Sequence, residues 1–169
     1  MKNLKNLFMS FAYAFRGIYY ALKYERNMRI HFTCMVYMYS FLLIYDFFKV
    51  SATQFAVIFL ANALVTALEL VNTAVERSVD LASREHTEKG KIAKDTAAGA
   101  VLIAAIFAVL VGIAILGQPE AFKAMYNYYT DKPYMFVIFV LSIVPATVFI
   151  FKGFGKASTG DNSSDSVGQ

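Results

Sequence analysis

The chain has 169 residues, of which 58% are hydrophobic and only 17% are charged. Soluble domains carry about 25% charged residues, so this composition excludes an ordinary soluble enzyme and indicates a membrane protein. The net charge is only +4, and we expect the membrane bilayer but no nucleic acid among the partners of the chain.

The first predicted element is a helix over residues 4–24. Aromatic and aliphatic side chains recur there at mixed helical spacing, with sparse basic residues between them. Such a pattern is typical of an amphipathic helix that lies in the membrane interface. We therefore assign residues 1–29 to an interfacial helix and the start of the first span. The helix either anchors the chain electrostatically or contributes to a site.

Four apolar stretches follow, over residues 30–48, 52–71, 97–116 and 134–151. At about 1.5 Å per residue, each is about long enough to cross a hydrocarbon core of about 30 Å. The pattern predicts an all-α, polytopic membrane bundle. Its core has three transmembrane helices within residues 30–117, and an additional fourth transmembrane helix follows.

The remaining segments connect or end these spans. Residues 118–133 are rich in Tyr and are expected to form an extracytoplasmic loop. Residues 152–169 are polar and are expected to form a disordered cytoplasmic tail. Small residues recur at intervals of four in the third span and predict close helix packing. They are Ala100, Ala104, Ala108 and Gly112.

Lys and Arg residues are distributed unevenly between the two sides of the predicted spans. Thirteen lie before the first span, between the second and third, or after the fourth, and three lie in the other two connections. Because cytoplasmic connections carry the excess of basic residues, we expect both termini and the 76–95 loop in the cytoplasm. Arg29 is interpreted as one of these basic anchors.

The end of the second span carries an unusual series of polar residues: Glu69, Asn72, Glu76 and Asp80. At about 100° per residue, they lie along one stripe of a helix. The stripe deepens from Asp80 at the loop to Glu69 within the membrane. A carboxylate at a helix centre costs roughly 2.5–3.5 kcal/mol on insertion scales, so this series needs a specific explanation.

Three explanations compete for this stripe. It is a polar clasp between helices, a proton or ion relay, or a site for chemistry on a lipid head group. Relays and transport sites need polar groups on several spans near the bilayer middle, and the other spans carry almost none. A buried carboxylate near the inner interface suits a general base that acts on a lipid hydroxyl.

Other polar residues on the same side fit the third explanation. Glu25 precedes the first span, and Lys94 and Asp95 precede the third. Mg²⁺ prefers oxygen ligands and commonly binds together with phosphates. Glu25 and Glu76 could supply such oxygens, and Lys94 could neutralise phosphate charge. Neither a Walker A sequence nor a protein-kinase signature is present.

These motifs resemble those of a known family. The stretch "ELVNTAVERSVD" at 69–80 is similar to the signature of the small prokaryotic membrane diacylglycerol kinases, which include undecaprenol kinases. The stretch "AKDTAAGAVL" at 93–102 resembles the second block of that family. The similarity covers roughly residues 5–117.

The resemblance implies a homotrimer with active sites shared between subunits, in a bacterial cell membrane. It implies transfer of the γ-phosphate of ATP to a lipid alcohol, with Mg²⁺ as cofactor. Glu69 would be the catalytic base, Asn72 would support the site, and Glu25 and Glu76 would bind the metal. The residues implied in ATP binding are Gly17, Glu25, Glu76, Asp80, Lys94 and Asp95.

Two features bear on the acceptor lipid and on the extra helix. The block "ERNMRIHF" is similar to the form found in undecaprenol kinases, which favours undecaprenol over the alternative, diacylglycerol. His31 belongs to this block, and an interfacial polar residue describes it as well as any specific role. The fourth helix and the tail extend beyond the family core and have no assigned role. A membrane scaffold or a small transporter remains the alternative of a different class.

Overall fold

The computed structural model describes residues 2–82 and 87–154 of the chain. These residues form six helices, with no strand among them, so the all-α prediction is confirmed for this part. The helices are α1 (Lys2–Tyr24), α2 (Arg26–Ile44), α3 (Ala52–Ala82), α4 (Glu88–Leu116), α5 (Pro119–Asp131) and α6 (Pro133–Lys152).

The two long central helices begin at side-chain caps. The Ser51 hydroxyl accepts a hydrogen bond from the Gln54 backbone N–H, and the Gln54 side chain accepts one from the Ser51 N–H. This reciprocal arrangement is a capping box, which satisfies two backbone donors at the start of α3. At the start of α4, the Thr87 hydroxyl accepts a hydrogen bond from the Gly90 N–H.

The core of the bundle lies between α3 and α4, which contact each other more extensively than any other helix pair in the described residues. Val65 of α3 is buried, as are Val101 and Ala104 of α4. Ala104 belongs to the predicted series of small residues, and its short side chain allows the two backbones to approach closely. The helix that packs against α4 is therefore α3 of the same chain.

α2 connects this pair to α6. α2 packs against both α3 and α6, and the Tyr37 and Ser142 hydroxyls are 2.8 Å apart across the α2–α6 contact. At the opposite end from the polar stripe, the side chain of Gln118 exchanges two hydrogen bonds with the backbone of Lys49. These contacts connect the α2–α3 turn to the junction of α4 and α5.

Three of the described helices are long and apolar enough to cross a membrane, namely α3, α4 and α6. α2, which corresponds to the predicted first span at 30–48, is not among them. It has 19 residues, as the predicted span does, but it begins and ends four residues earlier. It includes Asn27, Arg29 and His31 near its start, so it is more polar than expected. α3 and α4 each extend beyond the predicted spans toward the 83–87 connection.

One further segment differs from the expectations, and one is not tested. Most of the predicted loop at 118–133 is helical, because Pro119 begins α5 and the helix continues to Asp131. Pro is favourable at the first helical turn, where its missing N–H leaves no hydrogen bond unmade. The predicted tail at 152–169 lies outside the described residues beyond Phe154.

The packing of α3 on α4 gives a stability prediction. We expect Ala104→Leu to lower the midpoint of thermal unfolding in detergent micelles, because overpacking a buried position costs about 1–3 kcal/mol. Ala114 lies on the same helix and is exposed, so Ala114→Leu is the matched control and should leave the midpoint unchanged. Equal midpoints for the two variants would contradict the described interface.

Candidate functional site

The polar stripe of α3 runs from a buried end to an exposed end. Glu69 retains only 3% of its accessible surface and Asn72 only 8%. Glu76 is half-buried and Asp80 is exposed. The gradient expected from helical periodicity is therefore present in the single chain. A ligand that enters from the exposed end would contact Asp80 first and Glu69 last.

Glu69 has a partner on α2. Its Oε1 atom lies 3.4 Å from Nε2 of His31, whose side chain is 26% exposed. The Thr73 hydroxyl donates to the Glu69 backbone carbonyl at 3.0 Å and so occupies a neighbouring part of the same face. A buried carboxylate needs a polar or charged neighbour, and His31 provides it. The sequence analysis missed this role.

A signal for His31 was present in the sequence. It is an imidazole in the second turn of α2, and α2 precedes the helix that carries the buried carboxylate. Titratable side chains on adjacent helices at one membrane depth are expected to pair. That expectation requires knowing which face of α2 meets α3, and only the folded chain provides this.

Asn72 holds Glu76 in place and retains an unused oxygen. Its Nδ2 atom donates to Oε1 of Glu76 at 2.9 Å. Its Oδ1 atom is buried and has no hydrogen-bond partner within the described ranges. A buried acceptor without a donor costs about 1–3 kcal/mol. The arrangement therefore offers an acceptor to a ligand that brings a hydroxyl or another donor.

Arg77 joins three elements at the rim of the site. Its guanidinium lies 3.7 Å from Oε1 of Glu25, in the break between α1 and α2. The same guanidinium lies 5.4 Å from the centre of the Tyr20 ring on α1. Exposed ion pairs stabilise a fold by only about 0–1 kcal/mol. Their main effect here is to hold the Glu25 carboxylate beside α3.

The other predicted residues are distributed unevenly. Lys94 of α4 donates to the Asp80 carboxylate of α3, so two of the predicted nucleotide ligands are brought together. Asp95 follows Lys94 and is exposed. Gly17 lies on α1, and no atom lies within 4 Å of the position that a Cβ would take there. The single chain therefore does not bring Gly17 into close contact with the stripe.

The donor set fits a divalent metal that is shared with phosphates. Glu25 and Glu76 could supply carboxylate oxygens, because both are half-buried and so only partly covered by the chain. Mg²⁺ commonly binds through one or two carboxylates together with substrate phosphates. In the part of the chain that the structure describes, no cluster of three or more Asp, Glu, His or Cys side chains could form a complete protein cage.

An apolar cavity approaches the buried carboxylate. It has a volume of about 380 Å³ and lies between α2, α3 and α4. His31 lines it, together with mainly apolar residues such as Met35 and Val65. Because His31 also contacts Glu69, the cavity ends one side chain away from that carboxylate. A hydrocarbon chain in this cavity could present a polar end group to Glu69.

Comparison with known proteins shows the family to which this chain belongs. The model of the prokaryotic diacylglycerol kinase family matches residues 12–116, which include every polar residue of the stripe. The chain belongs to the prokaryotic diacylglycerol kinase family. The match ends at the last residue of α4, so α5 and α6 lie outside it.

Two relatives show how far the similarity extends. A diacylglycerol kinase of Synechocystis sp. is 47% identical over 116 residues, which cover 68% of this chain and 64% of the relative. An undecaprenol kinase of Bacillus subtilis is 38% identical over 114 residues, which cover 66% of this chain and 89% of the relative. The chain thus spans just under two thirds of the first relative. No solved structure matches the chain.

The unused oxygen of Asn72 distinguishes a ligand site from a polar clasp. We expect Asn72→Leu to lower the midpoint of thermal unfolding less than the control does, because the lost hydrogen bond to Glu76 is offset by removal of a buried acceptor that has no donor. The control is Asn62→Leu, since the Asn62 amide donates to the Tyr39 hydroxyl at 2.8 Å. That variant should lose about 1 kcal/mol. A larger loss for Asn72→Leu would identify Asn72 as a structural clasp.

Proposed function

We propose that this protein is an integral membrane lipid kinase that transfers the γ-phosphate of ATP to a lipid alcohol. The observation that carries the proposal is the burial of Glu69 beside His31, which lines an apolar cavity. The unpaired Oδ1 of Asn72 on the same helix supports it. Membership of the prokaryotic diacylglycerol kinase family supports the same reaction.

In the proposed reaction, Glu69 is the general base. Its carboxylate takes the proton of the lipid hydroxyl, and the lipid oxygen attacks the γ-phosphorus of ATP. The bond between the γ-phosphorus and the β–γ bridging oxygen breaks, and ADP leaves. The hydroxyl has a single proton, so it donates to Oδ1 of Asn72 on binding and turns that proton to the Glu69 carboxylate for the transfer. His31 stabilises the Glu69 carboxylate before the proton is transferred to it.

Phosphoryl transfer depends mainly on positioning and on electrostatic stabilisation. We assign Glu25 and Glu76 to a Mg²⁺ ion, which when bound neutralises phosphate charge. Asn72 orients Glu76 and Arg77 orients Glu25. The remaining members of the proposed ATP site are Gly17, Asp80, Lys94 and Asp95, in addition to the two glutamates.

The proposed acceptor is undecaprenol. The resemblance of "ERNMRIHF" to the undecaprenol kinase form supports this choice, as does the relative of that name in Bacillus subtilis. The apolar cavity that reaches His31 is compatible with one long hydrocarbon chain. Diacylglycerol is the second candidate, because the Synechocystis relative with the higher identity is named a diacylglycerol kinase.

The proposal places the protein in the bacterial cell membrane as a homotrimer with shared active sites. The excess of Lys and Arg in the corresponding connections supports cytoplasmic termini and a site at the cytoplasmic interface. The exposed aromatic residues of α1 support an interfacial position for that helix. The trimer rests on the family resemblance alone.

The identity of the acceptor is tested by ADP release from the purified protein in mixed micelles with Mg-ATP. We expect turnover with undecaprenol to exceed turnover with diacylglycerol, and both to exceed the rate without lipid. A preference for diacylglycerol would replace the proposed acceptor with the second candidate. Absence of turnover with either lipid, in protein that is folded and trimeric, would reject the lipid kinase function.

The role of Glu69 is tested by Glu69→Gln, which keeps the shape of the side chain and removes the base. We expect a loss of turnover of about 10²–10⁴-fold, the usual contribution of a general base. Glu88→Gln is the matched control, because Glu88 is an exposed carboxylate in the first turn of α4, and it should retain the parent rate. Near-normal turnover in Glu69→Gln would show that another group accepts the proton.

A further inference from the structure

The end of α6 is attached to the corner between α1 and α2 by one buried side chain. Arg29, in the first turn of α2, retains only 6% of its accessible surface. Its Nε atom donates to the carbonyl of Ile150 at 2.9 Å, and its Nη1 atom donates to the carbonyl of Lys23 at 2.9 Å. Arg29 therefore binds carbonyls inside the bundle, a role that its interpretation as a basic anchor did not include.

These two carbonyls belong to the last turns of α6 and α1. The last four carbonyls of a helix have no partner within the helix. A cation near a helix C-terminus also interacts favourably with the helix dipole. One guanidinium therefore satisfies unpaired acceptors of two helices at once, and it holds their ends against each other.

Gly153 makes this close approach possible. Its φ angle is +61°, a conformation that favours glycine. A Cβ at this position would lie 3.0 Å from the Lys23 carbonyl oxygen and 3.1 Å from Nη1 of Arg29. The ring of Phe149 contacts the rings of Phe32 and Phe154 and extends the same attachment.

Glu25 lies inside this attachment. It is the residue between α1 and α2, with Lys23 before it and Arg29 after it. The backbone N–H of Arg29 also donates a hydrogen bond to the backbone carbonyl of Glu25 at 3.3 Å. The end of α6 is therefore held against the chain on both sides of Glu25, through Arg29 and Gly153. α6 lies outside the residues that match the family, so its contact with this part of the chain is an addition to the family core.

We propose that the end of α6 together with Gly153, which follows it, is a positioning element for Glu25, and that Arg29 is the positioning residue through which it acts. The inference rests on the proposed function, in which Glu25 binds the metal of Mg-ATP. By fixing the corner that carries Glu25, α6 keeps the Glu25 carboxylate beside Arg77 and near the α3 stripe before metal binds.

The test uses Gly153→Ala in the full chain, because the added Cβ disturbs the contacts with Lys23 and Arg29 without removing Arg29. Gly99→Ala is the matched control, since a Cβ at Gly99 meets open space. The measurement is Mn²⁺ binding by electron paramagnetic resonance, with a non-hydrolysable ATP analogue present. Neighbours that orient metal ligands typically change metal affinity 10–100-fold when mutated. We expect Gly153→Ala to weaken Mn²⁺ binding about 10-fold, and Gly99→Ala to leave it unchanged.

A second set of variants, built on Glu25→Gln, separates a positioning effect on Glu25 from a general loss of stability. Mn²⁺ affinity is also measured for Glu25→Gln with and without Gly153→Ala. If α6 acts through Glu25, the second substitution should add nothing, because coupled residues are not additive. Arg29→Lys should match Gly153→Ala, since Lys keeps the charge but loses the planar fork of donors. Should Arg29→Lys fail to fold, the glycine variants alone decide.

The outcomes distinguish the inference from the proposed function. Unchanged Mn²⁺ affinity in Gly153→Ala, or an equal further loss in the Glu25→Gln background, overturns the inference while an active parent protein keeps the lipid kinase function. A parent protein that binds Mn²⁺ but releases no ADP with any lipid overturns the function. A loss confined to the Glu25-containing background, at unchanged kcat under saturating metal and ATP, supports the positioning role.

Discussion

The structure depends on the need to cover a carboxylate inside an apolar bundle. Glu69 is 3% exposed, and an ionised group in such surroundings is costly unless it is paired. α2 therefore has to lie on α3 with His31 facing Glu69. α4 packs closely against α3, where Ala104 is buried. The other helices attach around this core: α1 contacts α2 and α3, α6 contacts α2, and α5 contacts α6.

The same constraint connects stability to chemistry. Most buried polar groups in proteins have hydrogen-bond partners, yet Oδ1 of Asn72 has none within the described ranges. A bundle that served only as a scaffold would gain from a paired side chain at that position. The proposed lipid hydroxyl supplies the missing donor, so a feature that weakens the empty bundle would assist the bound state.

Much of the core and of the site could be predicted from periodicity. The 3.6-residue repeat puts Glu69, Asn72 and Glu76 on one face of α3, and small residues at intervals of four anticipate the close packing of α4. Helical periodicity cannot reveal which neighbour covers that face. His31 and Arg29 were consequently undervalued, because their partners lie 38 and 121 residues away in sequence.

The sequence by itself determined the helical class, the family and the polar stripe, since hydropathy and helical spacing are local properties. Local properties also misjudged two segments: Pro119 begins a helix where a loop was expected, and polar residues near its start leave α2 outside the three apolar spans. Only the tertiary structure decided that His31 meets Glu69 and that α6 holds the corner beside Glu25. Both contacts join residues on separate helices, and their formation depends on how the helices pack rather than on any short stretch of chain.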